Sequence, residues 1–388
     1  MKLASIREFI KVDLSNLKTD NLYRKLRPVE NQKGHLLVNG KKIINFNSND
    51  YLGLAGNQEM INNSLREFNE ISQCSSRLVG GNSTVFENLE KTLSMHRKTE
   101  ASLVYTTGYS AVLGTLSSLA DMNTTIFSDE LNHASIIDGC RLSCAKIKVF
   151  RHNNMEHLLK LLRGVKGKKI IVTEGIFSIE GDMSDLKSIS KLAKEFDAFT
   201  IIDDAHGDFV FGIHGSGTPS ELNVNNLIDI HISSLSKGLG CFGGYVASSN
   251  MIREYLINSS RQFIFTSALP THLCNFAIEA ISIAKKGVQQ RKLFKNVQMV
   301  RKGLRKIGYN VGNSVSQIIP IQIGSEKMAM EFASKLLVKG IFVHAMRFPT
   351  VKKGCSVLRL SLSASHTKAE LVYTLEELYN LGRKHKLL

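Results

Sequence analysis

The middle of the chain alternates short apolar runs with segments whose apolar residues recur every three or four positions. The runs "IIVTEG" (170–175), "FTIIDDAHG" (199–207) and "IDIHISSLSKG" (228–238) begin apolar and end in polar residues. Between the first two runs, residues 184–196 place their apolar side chains on one helical face. Apolar strands that alternate with amphipathic helices predict an α/β fold with a large, mostly parallel sheet covered on both faces.

The pattern changes near residue 273. The basic stretch 280–308 has helical periodicity, whereas "SQIIPIQI" (316–323) and "SVLRLSLSA" (356–364) have strand character. This mixture predicts a smaller α+β domain in the C-terminal part of the chain.

The last segment predicts a helix with a marked start and stop. Thr367 and Glu370 have the capping-box spacing, and Gly382 is a stop signal. The 388 residues exceed one ordinary core, so we expect more than one unit. We predict an N-terminal arm over 1–45, a large α/β domain over 46–275 and a smaller α+β domain over 276–388.

The chain is strongly basic, with a formal net charge of +16. The positive charge is spread along the chain in modest clusters, such as "RGVKGKKI" and "RKGLRKIG", and no nucleic-acid module signature accompanies it. We interpret it as a lysine-rich solvated surface that can also attract an anionic substrate. A nucleic-acid-binding protein on a decayed enzyme fold is the alternative from a different class, and we expect no nucleic-acid partner.

Three other features narrow the class of protein. No apolar run approaches the roughly 18 residues of a membrane span, and the N-terminus lacks the apolar core of a signal peptide. The six cysteines show no C-x-x-C pair and no metal-ligand spacing. We therefore expect a cytoplasmic protein with reduced thiols, no metal and no membrane partner.

Candidate chemistry lies where four of the predicted strands end. The stretches are "YTTGYS" (105–110), "TEGIFS" (173–178), "DDAHG" (203–207) and "SSLSKG" (233–238). Open α/β sheets bind ligands outside the carboxyl ends of their strands. These four stretches are therefore predicted to face one ligand site.

Lys237 lies among small residues in "SSLSKGLGCFGG". The P-loop pattern that would direct a lysine to a nucleotide phosphate is absent. A lysine at a strand end, with no bulky neighbours, suits a Schiff base with a carbonyl group. Most lysines near glycines are surface residues in loops, so the lysine alone leaves that interpretation open and does not establish chemistry.

Asp203 ends the apolar strand "FTIID", where an unpaired carboxylate would be costly to bury. Pairing with a protonated pyridine nitrogen would offset that cost and make the ring a better electron sink. A helix cap or a salt bridge is the alternative for Asp203. His206 could hydrogen-bond the phenolate oxygen of the same ring, although a lone histidine after a strand is more often structural.

Two more positions complete a cofactor set. The ring of His133, in "SDELNHASIIDG", could stack on a cofactor ring, and Gly108 and Tyr109 begin a predicted helix whose N–H groups could bind phosphate. Each has an ordinary structural alternative. Together with Asp203 and Lys237 they predict pyridoxal 5′-phosphate (PLP) as the cofactor.

Several long motifs resemble one known family. "NFNSNDYLGLAG", "TTGYSAVLG", "DELNHASIIDG", "TEGIFSIEGDMSDL", "IIDDAHGDFVFG", "SLSKGLGCFGG" and "LRLSLSASHT" are similar to the α-oxoamine synthases, from about residue 40 to the C-terminus. This family consists of fold type I PLP enzymes that condense an amino acid with an acyl-CoA and release CO2. The resemblance also implies a homodimer with its sites at the subunit interface.

The resemblance assigns roles to individual residues. Lys237 would carry the cofactor and act as general base, and Asp203, His206 and His133 would be the other catalytic groups. The cofactor-binding set would be Gly108, Tyr109, His133, Ser178, Asp203, His206, Ser234, Lys237 and, toward a neighbouring subunit, Thr266. The substrate-binding set would be Arg24, Asn49, Thr350 and Arg359, with Arg359 gripping the carboxylate of the amino acid.

Short stretches resemble one branch of this family, which joins L-alanine to pimeloyl-CoA or a pimeloyl acyl-carrier protein in biotin biosynthesis. They are "RQFIFTSALP", "RFPTVKKG" with Thr350, and "LYRKLRPVE" with Arg24 for the distal carboxylate of the acyl chain. Gly175 also fits, since members that use glycine often carry Ser there. Other branches, with other amino acids and acyl groups, are the alternative enzymes.

Overall fold

A computed structural model describes residues 5–20, 22–24, 26, 28–32, 35–38, 40–65, 71–385 and 387–388. The strands are β1 (Glu30–Gln32), β2 (His35–Val38), β3 (Lys41–Asn45), β4 (Ala101–Tyr105), β5 (Thr124–Asp129), β6 (Lys146–Phe150), β7 (Lys168–Glu174), β8 (Phe199–Asp203), β9 (Ile230–Ser234), β10 (Gly244–Ser248), β11 (Ile318–Gly324), β12 (Ile341–Phe342), β13 (His344–Met346) and β14 (Ser356–Ser361).

Helices pack against both faces of the main sheet, and further helices lie in the N-terminal and C-terminal parts of the chain. They are α1 (Ile6–Thr19), α2 (Gln58–Leu65), α3 (Thr84–Arg97), α4 (Gly108–Leu119), α5 (Ala134–Leu142), α6 (Met155–Arg163), α7 (Leu186–Glu195), α8 (Thr218–Glu221), α9 (Asn250–Ser259), α10 (Arg261–Ile264), α11 (Thr271–Ala284), α12 (Val288–Ile307), α13 (Glu326–Val338) and α14 (Lys368–Lys384). A π-helical turn covers Arg77–Gly81, and 3-10 turns cover Ile213–Gly215 and Asn225–Leu227.

The main sheet has seven strands in the order β4-β10-β9-β8-β7-β5-β6. Adjacent strands of this sheet pair in parallel, except that β10 runs antiparallel to both β4 and β9. Buried strands on both sides of β8 explain why the sequence shows continuous apolar runs rather than alternation. The predicted α/β fold with a mostly parallel sheet is confirmed.

The amphipathic segment after β7 shows how the helices join this sheet. Asp185 caps α7 by accepting a hydrogen bond from the Ser188 amide at 3.1 Å. Leu186 and Ile189 on its inner face are fully buried in the apolar cluster that also holds Ile171 of β7. The 3.6-residue period thus placed one face of α7 against the sheet.

A smaller three-stranded sheet, β11-β14-β13, and a four-stranded sheet, β1-β2-β3-β12, lie outside the main sheet. β3 pairs in parallel with β12, so strand residues of the first 45 positions hydrogen-bond with the C-terminal part of the chain. The domain boundaries at 45 and 275 stay a prediction. No helix of the described residues is long and apolar enough to cross a membrane.

The basic stretch and the last helix refine two local predictions. The stretch 280–308 is helical but divided, because Gly287 takes a left-handed φ of +69° between α11 and α12. The capping box of Thr367 and Glu370 is confirmed. The prediction that Gly382 ends the helix is wrong, since α14 continues to Lys384. Gly382 instead packs against Leu388, because a Cβ on Gly382 would lie 2.4 Å from a methyl carbon of Leu388.

Candidate active site

The parallel strands bring the four predicted stretches to one edge of the main sheet. β4, β5, β7, β8 and β9 all end there, and the segments that follow them carry the candidate residues. Neighbouring strands lie about 4.8 Å apart, so residues far apart in sequence become neighbours in space. This edge is the candidate active site.

Lys237 follows β9 and has its amine inside the protein. Its Nζ lies 2.9 Å from Nε2 of His206. Burial lowers the pKa of the Lys237 ammonium below its usual range, while the negative charge of Asp203 opposes that shift. A buried amine with a lowered pKa is suited to attack a carbonyl carbon and to accept a proton.

His206 lies at the centre of a hydrogen-bonded row. Its Nδ1 is 2.6 Å from the hydroxyl of Tyr51, which donates onward to Asn49 Oδ1 at 3.1 Å. The backbone carbonyl of His206 accepts from Gln317 Nε2 at 2.8 Å. Burial, followed by the charge of Lys237, holds the pKa of His206 well below its usual value, so the ring is neutral. Sequence reasoning missed Tyr51, although it stands two residues after Asn49 in the quoted motif.

Two carboxyl groups face each other across β7 and β8. Asp203 is 8% exposed, and its Oδ1 accepts the Ala205 amide at 3.1 Å. Glu174 pairs in register with Asp203, is 2% exposed, and has an Oε1 that bonds to no group among the described residues. Sequence reasoning used "TEGIFS" for Ser178 and missed Glu174, whose position at the end of an apolar strand was the available signal.

His133 caps α5 at the end of the β5 segment. Its Nδ1 lies 2.8 Å from Ser135 Oγ and accepts the Ser135 amide at 3.2 Å. Burial lowers the pKa of His133, and the charge of Asp203 partly offsets this. Tyr109 meets the ring edge-on at a centroid distance of 6.3 Å, and its hydroxyl donates to the carboxylate of Asp138. A neutral, fixed imidazole here can cover one face of a flat ring.

The start of α4 forms an anion cradle. Thr107 caps the helix by accepting the Ser110 amide at 3.0 Å. The amides of Gly108 and Tyr109 lie in the first turn, where a helix offers them no acceptor. A Cβ on Gly108 would lie 3.0 Å from Cβ of Ser234, so glycine lets the helix start approach the end of β9 closely. Two amides and the Ser234 hydroxyl therefore converge where a phosphate group can bind.

Arg359 projects from β14 into the same site. It donates from Nε to the Ser178 carbonyl at 2.5 Å and from Nη1 to the Ser361 hydroxyl at 2.6 Å. Its two terminal nitrogens lie 3.4 Å from Asn49 Oδ1. The structure brings the predicted pair Arg359 and Asn49 together, and it places the main chain of Ser178, rather than its hydroxyl, against the guanidinium.

The loop that carries Ser178 is fastened by His152. The imidazole lies 3.0 Å from an oxygen of Asp129 and 2.8 Å from an oxygen of Asp182. Although burial opposes the cation, hydrogen bonds to these two carboxylates raise the pKa of His152 to about 10. Phe177 packs edge-on against the ring at 4.3 Å. The protonated His152 thus links the loop that contacts Arg359 to the end of β5. We call this contact of His152 with Asp129 and Asp182 the charged clamp.

A cavity of about 510 Å³ opens beside this loop. Thr350 and Val351 line it, together with Ile179 and Pro320. Arg24 lies outside the lining and is exposed; its charge lowers the pKa values of His344 and Arg347 after the larger effect of burial. Thr350, predicted to bind substrate, therefore lies in the cavity and bonds through its amide to the Arg347 carbonyl at 2.9 Å, while Arg24, predicted for the acyl chain, forms a cationic cluster with Arg347.

Thr266 lies in the turn after α10. It lines a small cavity of about 20 Å³ with Thr106, two residues before the anion cradle. The adjoining Ser267 forms an antiparallel bridge with Ser76. The role of Thr266 toward a neighbouring subunit stays a prediction.

A buried ion pair stiffens the turn behind Asp203. Nη1 of Arg97 lies 2.9 Å from Asp204 and 3.0 Å from Asp208, and all three side chains are fully buried. A Cβ on Gly175 would lie 2.4 Å from Oδ1 of Asp204 and 2.2 Å from the Thr218 hydroxyl. Gly175 therefore makes room for this ion pair, which gives a packing reason for the absence of a side chain there.

These residues fit PLP. The close approach at Gly108, the unpaired Oε1 of Glu174 and the buried amine of Lys237 provide a phosphate cradle, a polar ring pocket and a nucleophile for an aldehyde. Asp203 would lie opposite the ring nitrogen.

The comparisons with known proteins agree with this geometry. The family model for aminotransferase class I and II matches residues 41–378. An 8-amino-7-oxononanoate synthase of Thermoanaerobacter pseudethanolicus is 38% identical over 388 residues, covering 98% of each chain. Serine palmitoyltransferase of Sphingomonas wittichii superposes with a TM-score of 0.92 at 30% identity, covering 100% of both chains. A serine palmitoyltransferase variant of S. paucimobilis, solved with PLP and myriocin bound, superposes with a TM-score of 0.93 at 27% identity, covering 100% of both chains.

Fold, site and matches together define a PLP-dependent enzyme of fold type I, in the aminotransferase class I and II family. PLP, predicted from the strand-end residues, is confirmed as the cofactor. Within this class, the chain belongs to the α-oxoamine synthases, which are acyltransferases.

Proposed function

We propose that the protein is an 8-amino-7-oxononanoate synthase, which joins L-alanine to a pimeloyl thioester in biotin biosynthesis. The proposal rests on the similarity of this chain to proteins named 8-amino-7-oxononanoate synthase, which are 36–39% identical to it over nearly its full length. Serine palmitoyltransferase is the competing activity, because structures of that enzyme superpose at 27–30% identity.

The amino acid would bind between Arg359 and the cofactor. Asn49 and the Ser178 carbonyl fix the guanidinium, which then presents its terminal nitrogens to a carboxylate. PLP supplies an electron sink for the Cα of the bound amino acid. Lys237, whose amine is buried and held beside His206, removes the Cα proton and later returns one.

The acyl thioester would occupy the cavity lined by Thr350 and Val351. The cationic cluster of Arg24 and Arg347 supports a dicarboxylic acyl group, because the distal carboxylate gains attraction there that a monocarboxylic chain cannot gain. The phosphates of CoA and the acidic surface of a carrier protein both suit the basic chain.

The reaction balances with one proton from solvent. A bond forms between the alanine Cα and the thioester carbonyl carbon, and the thiolate of CoA or of the carrier protein leaves with the proton that Lys237 removed from Cα, as a thiol. The bond from Cα to the carboxylate breaks and CO2 departs, after which Lys237 delivers a proton taken from solvent to Cα. A cytoplasmic location stays a prediction.

A substrate panel tests the proposal. Purified enzyme is offered alanine, glycine or serine, each with pimeloyl-CoA, acetyl-CoA or palmitoyl-CoA, and products are measured by mass spectrometry. We expect the highest kcat/KM for alanine with pimeloyl-CoA. Higher kcat/KM for serine with palmitoyl-CoA, or for glycine with acetyl-CoA, would refute the proposal.

The cationic cluster has its own test. Arg24→Ala is expected to raise KM for pimeloyl-CoA about tenfold, as for loss of one charged contact of roughly 1.4 kcal/mol. The same change should leave KM for heptanoyl-CoA, which lacks the distal carboxylate, unaltered. Arg163→Ala, an exposed arginine at the end of α6, is the matched control. An equal effect on both acyl groups would contradict a carboxylate contact.

We also propose a homodimer. No residue of α1 is buried in the single chain. Its apolar side chains Ile6, Phe9 and Ile10 are 48–78% exposed. Val79 and Phe265, near the Thr266 turn, are 83% and 70% exposed. Apolar side chains at these two places favour a second copy as their partner. Sedimentation should give twice the chain mass, and a monomer at micromolar concentration would contradict the proposal.

A further inference from the structure

Glu174 has no role in the chemistry described so far, yet its side chain lies inside the cofactor site. It is the last residue of β7 and the register partner of Asp203 on β8. In-register residues of parallel strands project to the same face of a sheet, about 4.8 Å apart. The carboxyl groups of Glu174 and Asp203 are therefore neighbours on the cofactor side.

The main chain of Glu174 is fixed from both sides. Its amide donates to Asn132 Oδ1 at 3.1 Å, and its carbonyl accepts the Ser184 hydroxyl at 2.6 Å. The side chain is 2% exposed, and Oε1 has no hydrogen-bond partner among the described residues. A buried oxygen with a fixed backbone and no partner is costly unless a ligand group meets it.

The charges around Glu174 favour its protonated form. Burial is the main cause that raises the pKa of Glu174 well above its usual value, and the carboxylates of Asp203 and Glu180 add to it. Lys237 and the amide of His133 act in the opposite direction. Two adjacent buried carboxyl groups cannot both ionise at low cost, so one proton resides on the pair.

We infer that Glu174 is a positioning residue that works as a neutral carboxylic acid in the cofactor site. One oxygen of its side-chain carboxyl accepts the main-chain N–H of His133 and so holds the residue that covers the ring, while Oε1, which has no partner among the described residues, carries the proton and donates to the cofactor side. Because Glu174 is neutral, Asp203 is the one carboxylate of this pair that faces the ring nitrogen.

Three substitutions separate a neutral acid from a carboxylate. Glu174→Gln keeps an acceptor and a donor without charge, Glu174→Asp keeps the ionisable group but shortens its reach, and Glu174→Leu removes both hydrogen bonds. We expect the Kd of PLP to stay within about threefold in the Gln variant, and to rise about tenfold or more in the Asp and Leu variants, as for loss of one buried hydrogen bond. The absorbance of bound PLP should keep its wild-type pH profile in Glu174→Gln only.

The cofactor-free protein gives a second readout. A group whose pKa is raised in the folded state contributes stability below its unfolded pKa, near 4.5, and that stability is lost as pH rises. Relative to wild type, Glu174→Gln should therefore gain melting temperature as pH rises from about 5 to 8. Glu156→Gln, an exposed glutamate on α6, should show no such trend.

The inference is overturned if Glu174→Gln weakens PLP binding while Glu174→Asp does not, or if the stability of Glu174→Gln falls relative to wild type as pH rises. It uses the cofactor site and not the acyl substrate. Failure of the substrate panel would leave these PLP-binding and melting results unaffected, so the two proposals fail separately.

Discussion

From the charged clamp at His152 we predict how the free energy of unfolding changes with pH. The imidazole joins Asp129, at the end of β5, to Asp182, on the loop that presents Ser178 to Arg359. Glutamine in place of His152 keeps a similar shape and hydrogen-bonding capacity but removes the cation. His152→Gln therefore isolates the charge that links the loop to the sheet.

The magnitude follows from the pKa of His152. A rise from 6.5 to about 10 corresponds to about 5 kcal/mol at most, at 1.36 kcal/mol per pKa unit. The side chain is 19% exposed, and solvent screening reduces the effect, so we expect about 2–3 kcal/mol. Since the folded-state pKa is raised, this stability is fully present below pH 6.5 and is lost as pH rises through about 10.

Urea unfolding of wild type and His152→Gln, at several pH values from 6 to 10, measures the effect. The difference in unfolding free energy should be largest at the acidic end and shrink by about 2–3 kcal/mol toward pH 10. Taking this difference cancels the titration of the other groups. His214→Asn, at an exposed histidine whose φ of +56° suits asparagine, is the control and should give a flat difference. A His152→Gln difference that stays constant with pH would refute the charged clamp.

Three further predictions concern the site. Lys237→Ala should lose the PLP-derived visible absorbance and lower turnover by at least about a thousandfold, as for loss of both the covalent attachment and the general base; full turnover would disprove the assignment. Tyr51→Phe, which removes the 2.6 Å bond to His206, should lower kcat about tenfold and shift the pH profile of PLP absorbance; an unchanged profile would show that the bond only supports the fold. Gly175→Ala should cost about 1–3 kcal/mol in unfolding free energy because the added Cβ would lie 2.4 Å from Asp204, whereas Gly164→Ala, with 3.7 Å of space, should be near neutral. Similar melting temperatures for the two alanine variants would contradict the packing argument.

The sequence by itself determined the fold class and the edge of the sheet that carries the chemistry. Apolar runs that end in polar residues set strands such as β8, and the helical period between them implied crossover helices. Parallel strands expose their carboxyl ends together, so the local order of residues was enough to assemble Lys237, Asp203, His133 and Gly108. Their residue types then restricted the cofactor to PLP.

Only the tertiary structure decided which distant groups complete the site. Tyr51 and His206 are 155 residues apart, and Arg359 is 181 residues from the Ser178 carbonyl it contacts. No local period encodes such contacts, because they depend on how separate elements pack. Gly175 shows the same limit, since its missing side chain is explained by an ion pair formed from residues 97 and 204.

Protonation states also required the three-dimensional structure. The neutral form of His206 and the proton on Glu174 follow chiefly from burial and from charges on neighbouring strands. Desolvation depends on the whole environment of a group rather than on its flanking residues. The sequence therefore determined which chemical groups are present at the strand ends, and the folded chain decided their reach, their partners and their charge.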